Sequence, residues 1–183
     1  MSTLKVSTIS PLGTDATKTI TVGASGDTFK LTDGITVSGA GANTPAFSVG
    51  LSGNQDIPNN TLTKITWDSE VYDTDNAFAS NKFTVPTDKA GKYLFEMVIQ
   101  IEYGNGAGEY GDLKLRVNGS TSKEVRRAVS GNASVAQSIV LVATVNLSVG
   151  DYVEGFLIHT KGTTQAIQAG VNTYFSGHRL IGA

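Results

Sequence analysis

KYLFEMVIQIEY, residues 92–103, is the longest uninterrupted apolar alternation in the chain. Tyr93, Phe95, Met97, Ile99, Ile101 and Tyr103 fall on one side of it. Lys92, Glu96, Gln100 and Glu102 fall on the other. That period of two marks a β-strand, because successive side chains of a strand point to opposite faces, whereas a helix would repeat near 3.6. Leu94 and Val98 interrupt the polar side. The spacing therefore predicts a long strand covered on one face and partly covered on the other.

Working outward, DLKLRVNG (112–119), SVAQSIVLVATVNL (134–147), DYVEGFLIH (151–159) and AGVNTYFSGHRLIG (169–182) read as further strands, punctuated by Asn-Gly, Val-Gly-Asp and Lys-Gly turns. No helix-length amphipathic run lies between them. Strands of this length at this spacing predict an all-β, antiparallel sandwich or jelly roll. GNGAGEYG (104–111) reads as a hairpin tip: Glu109 occupies the place of the third glycine of a dinucleotide-binding loop, and no helix follows. Lys123, Arg126 and Arg127 form the densest basic cluster, with Glu124 inside it, and read as a solvated loop or strand face.

Composition narrows the function. The 183 residues include no cysteine, so disulfides, thiolate nucleophiles and Cys-based zinc sites are excluded. Fourteen basic residues against sixteen acidic ones give a net charge of −2 without long blocks of either sign, which argues against a nucleic-acid partner. No apolar run approaches the roughly 18 residues of a membrane span, and MSTLKVSTIS lacks the features of an export signal.

The first 44 residues follow a different rule. They are rich in Thr, Ser and Gly, with isolated aliphatic residues among which Leu4, Val6, Ile9, Ile20 and Val22 are the anchor candidates. So few apolar side chains return less free energy than ordering forty residues costs. The segment is thus either disordered or ordered against another chain, and its short β-branched alternations, such as KTITVG, favour the second. The expected organisation is an anchor or oligomerisation segment of short strands over 1–44, followed by a β knob over 45–183.

Within that knob, ITWDSEVYDTDNAFASNKFTVPTDKAGKYLFEMVIQI (65–101) resembles the central signature of the C1q/TNF-like jelly-roll superfamily, through Trp67, Asp68, Tyr72, Asp73, Phe78, Phe83, Thr84, Pro86, Gly91, Tyr93 and Phe95. LSVGDYVEGF resembles its later element at Leu147, Gly150, Asp151 and Val153, and TYFSGHRLI its terminal strand. The resemblance implies a homotrimer in which the last strand returns to the middle of the inner sheet beside the long strand. Tyr93, Phe95, Met97, Ile99, Ile101, Tyr174 and Phe175 become the candidates for core and threefold axis, with Tyr174 and Phe175 facing opposite ways. The opening MSTLKVSTI, continuing into ATKTITVGASGDTF, resembles that of small structural proteins of bacteriophages.

Catalytic chemistry has few places to stand. His159 and His178 are the only imidazoles, and no Gly-x-Ser-x-Gly elbow occurs. Asp68, Asp73 and Asp75 offer hard oxygens to calcium, but the EF-hand glycine and terminal glutamate are missing, so solvated turn carboxylates are the stronger reading. A sugar-cleaving cleft is disfavoured by the single tryptophan. The expectation is a non-enzymatic virion protein without cofactor, made in the host cytoplasm and carried on the particle surface. Its N-terminal segment would hold the major capsid protein or another virion protein, as capsid decoration or a short head fibre. The alternatives are the tip of a tail fibre contacting host surface glycan, and a non-viral C1q-like binding module.

Overall fold

The computed structural model describes residues 43–103, 109–128 and 135–180. The anchor candidates Leu4, Val6, Ile9, Ile20 and Val22 lie outside the described residues. Two antiparallel sheets face each other across one apolar core.

The first sheet is built on β7 (Gly91–Tyr103), the strand that opened the sequence reading. Along one side it pairs over its whole length with β10 (Val135–Leu147). Along the other it pairs with β13 (Tyr174–Arg179) and then, at Gln100 and Ile101, with β12 (Gln165–Gln168). Beyond β13 come β1 (Ala46–Gly50) and the edge strand β4 (Ser69–Asp73), while β2 (Gln55–Ile57) borders β12. The terminal strand β13 is therefore held on both sides, by β7 and by β1. That is why an aromatic strand can sit so near the chain's end without fraying.

In the second sheet, β11 (Tyr152–His159) is flanked on one side by β8 (Tyr110–Val117), which continues to the edge strand β9 (Ser120–Ala128). On the other side it meets β6 (Lys82–Thr84) and β3 (Thr63–Lys64), with β5 (Phe78–Ala79) beyond β6. The β8–β9 turn is Asn118-Gly119 with φ of 49° and 77°, the left-handed pair that a two-residue hairpin needs.

One reading changes, and the solvated strand face expected of the basic cluster holds. β7 and β8 belong to different sheets, so they do not pair as the hairpin expected across GNGAGEYG, whose residues 104–108 lie outside the described residues. Local turn chemistry marks a reversal but cannot say whether the two strands it joins pair with each other. The basic cluster is part of a nine-residue edge strand in which only Val125 is half-buried; with both faces wet, no alternation betrays it.

The core is aromatic. Tyr93, Phe95, Met97, Ile99, Ile101 and Phe175 are fully buried, together with Phe47 and Phe83. Phe47 stands at their centre, 4.9 Å from Phe78, 5.2 Å from Phe83 and edge-on to Phe175 at 5.0 Å. Each such ring removes a large apolar area from water, which compensates for the absent disulfides.

Candidate interaction surface

The first sheet carries four of the exposed large apolar side chains among the described residues, Val71, Tyr72, Val140 and Val142. In β10, Ile139 and Leu141 point inward while Val140 and Val142 remain 49% and 59% exposed. Register places Val140 beside Val98 and then Tyr174, and Val142 beside Glu96 and then Ser176. At the opposite margin, a bulge between Ser48 and Val49 makes Val71 an extra residue of β4, and Val71 and Tyr72 are exposed to 73% and 48%. A bulge of this kind breaks the strict alternation, so two neighbours in sequence can both meet solvent. Val71 and Val171 line an apolar recess of about 470 Å³ together with Leu51 and Tyr174.

Between these margins the face is mixed, with Lys92, Glu96 and Gln100 of β7 and Ser176 of β13 among its polar groups. Tyr174 donates to Glu96 Oε1 at 2.9 Å, and burial followed by that carboxylate pushes its hydroxyl above the ordinary phenol range. His178 lies on the same face, half-buried and in register with Leu94. Tyr174 and Phe175 thus face opposite ways, Phe175 into the core and Tyr174 out onto the sheet.

His159 is no catalytic base. It is fully buried at the end of β11, with Nε2 2.8 Å from the Ile57 carbonyl and Nδ1 accepting from the Lys161 amide at 3.3 Å. A carbonyl only accepts, so Nε2 carries the proton, and both ring nitrogens are committed to backbone.

The calcium candidates are not brought together. Asp68 accepts from the amide and hydroxyl of Ser52, which hold its carboxyl below the usual range. Asp73 accepts from the amides of Ala77 and Phe78, closing the following turn. Asp75 accepts from Thr74 and lies 4.0 Å from Lys89. Among the described residues no group of three acidic, histidine or cysteine side chains is placed to hold a metal. Asp68 and Glu70 instead rim a recess of about 200 Å³ walled by Trp67 and Phe78.

The exposed valines of β10 were missed in the sequence reading, although a signal was there. From Ala128 to Gly150 the chain has no charged residue at all. A long, uncharged, β-branched strand at a sheet edge is what soluble proteins ordinarily avoid or cover.

No family model and no curated protein matches this chain. Solved structures do. Eiger TNF from S. frugiperda aligns over 75% of this chain and 93% of its own, at 14% identity and a TM-score of 0.52. The globular domain of zebrafish complement 1qA aligns over 75% and 98%, at 20% identity and a TM-score of 0.49. The fold is the C1q/TNF-like jelly roll. At such identities the likeness concerns fold alone, and the role of this jelly roll has to be argued from its own surface.

Proposed function

We propose that the protein is a self-associating β knob, a homotrimer with a structural and binding role and no catalysis, displayed on a bacteriophage particle. One observation carries the association: the apolar groups on the first sheet's outward face concentrate at its two margins, Val140 and Val142 on β10 and Val71 and Tyr72 on β4. Two different patches on one molecule make a head-to-tail contact, which closes into a ring when the rotation between copies is a whole fraction of a turn. The C1q/TNF-like resemblance supplies the number three. Burial in such a ring would also remove the open β10 edge from water.

Sedimentation of the full chain tests this. The wild type is expected to run as a trimer, and Val142→Lys, which places a charge on the outward face without touching the core, as a folded monomer. A wild-type monomer, or a trimer unaffected by Val142→Lys, would rule out this surface as the contact.

The virion assignment is supported by the resemblance of MSTLKVSTI and ATKTITVGASGDTF, within residues 1–29, to the opening of phage structural proteins. A trimer presents three copies of that segment to a particle, so weak individual contacts multiply. Residues 45–183 alone should then trimerise yet fail to attach to particles that bind the full chain. Copy number per particle separates capsid decoration from the tip of a tail fibre. Absence of the chain from purified particles would reassign it as a non-viral binding module of the same fold.

A further inference from the structure

The outward face of the second sheet has an uneven charge arrangement that association through the first sheet does not use. Along β11, Tyr152, Glu154 and Phe156 point away from the core, alternating with buried Val153, Gly155 and Leu157. Lys82 stands 4.7 Å over the Tyr152 ring, and the Arg116 guanidinium 4.7 Å over the Phe156 ring. Glu154, between the two rings, is taken by Lys64 at 2.7 Å. Nearby cations are likewise matched: Lys114 with Glu124 at 2.5 Å, and Arg126 with Asp112 at 2.7 Å.

Lys82 and Arg116 differ. Among the described residues neither has a carboxylate within ion-pair distance. Arg116 gives one hydrogen bond to the Gly119 carbonyl through Nη2, and its Nε–H is buried without an acceptor, so only its terminal N–H groups can meet a ligand. An aromatic face attracts a cation without neutralising it, so the charge of Arg116 and its remaining terminal N–H donors stay available to an anion. Two positive charges are thus presented, unneutralised, on a pair of half-exposed rings.

We infer that this face binds an acidic polysaccharide, whose carboxylate or sulfate groups engage Arg116 and Lys82 while sugar rings lie against Tyr152 and Phe156. Tyr152 and Phe156 are four residues apart on one strand, about 13 Å, which suits an extended chain better than a lone ion. Both recesses described above lie elsewhere, so the ligand meets an open sheet face.

Binding of the full-length protein to dextran sulfate, polygalacturonate and neutral dextran tests the assignment. One or both polyanions should bind at low salt and be released as salt rises, and dextran should not bind. Preference between the two polyanions reports whether sulfate or carboxylate is read. Lys82→Gln/Arg116→Gln should weaken binding about tenfold or more, with Lys92→Gln on the first sheet as the unaffected control. If the double variant fails to unfold cooperatively, Lys82→Gln alone decides, with an expected loss of several-fold. The proposal is overturned by no polyanion binding at low salt, by equal binding of dextran, by displacement with duplex DNA as effective as with polysaccharide, or by folded variants that bind like wild type.

Discussion

Gly177 sits where the core's rings leave no room. A Cβ on it would stand 2.5 Å from Phe95 Cδ1 and 2.9 Å from Phe47 Cε1. At Gly155 the nearest atom would be equally close, 2.5 Å, but it is the Met97 sulfur. A thioether can rotate away, whereas two buried rings packed against each other at a tilt, with centroids 6.3 Å apart, cannot. Gly177→Ala is therefore expected to cost about 3 kcal/mol and Gly155→Ala only about 1 kcal/mol, read from urea unfolding midpoints. Equal losses would mean that the aromatic cluster yields as easily as methionine. Tyr93 gives a second test at this scale. Its hydroxyl donates to the Lys89 carbonyl at 2.5 Å, and burial, opposed by Arg179 and assisted by Asp75, pushes its pKa to about 12. A phenol raised above its unfolded value of about 10 favours the folded state below that pH. Its contribution is lost as pH climbs through the folded value. Tyr93→Phe should accordingly be less stable than wild type at neutral pH, and the gap should narrow between pH 10 and about 12. A constant gap across that window would sink the assignment. Phe95 could be read from alternation alone, and Phe175 from the resemblance of the terminal strand. Gly177 could not, because a residue without a side chain has no periodicity, and its neighbour Phe47 is remote in sequence.

Along the elements, legibility followed solvent contrast. β7 and β11 alternate between core and surface and could be read directly, whereas β9 is wet on both faces and β12 and β2 are too short to develop a pattern. The junction between β12 and β13 shows what such short pieces need. β7 exchanges partners there, pairing with Tyr174 at Val98 and with Gln168 at Gln100. The Gln100 amide is met by the hydroxyl of Thr173 at 3.0 Å, and Thr173 is buried to 1% exposure. Thr173→Val keeps the shape and removes the acceptor. A buried amide left without one costs about 1–3 kcal/mol, and the loss should be local. Hydrogen exchange is expected to accelerate at Gln100 and along β12 more than at Phe95. Uniform acceleration across β7 would show that the hydroxyl supports the whole strand and not the junction.

For the molecule as a whole, what the sequence reading could deliver was fold class and the position of the last strand, because one long strand and its motif neighbours carried both. The surface was less legible. Burial periodicity identifies an apolar face, and a charge-free run identifies an exposed edge, but neither names what covers them. The cation–ring pairs of the second sheet were harder still, since Lys82 and Tyr152 meet only after folding. Association and folding can be separated by mass action. When an assembly is more stable than its free subunits, the unfolding midpoint rises with protein concentration. The contact proposed here lies entirely within residues 69–142, so a chain beginning at Asn43 should show the same concentration dependence as the full chain. Its core rings span Phe47 to Phe175, and its midpoint at a fixed concentration should therefore stay within about 4 °C, the shift that roughly 1–2 kcal/mol would produce in a domain of this size. Val142→Lys should abolish the concentration dependence in both chains. Loss of that dependence on removing residues 1–42, with Val142→Lys silent, would transfer the assembly function from the jelly roll to the N-terminal segment.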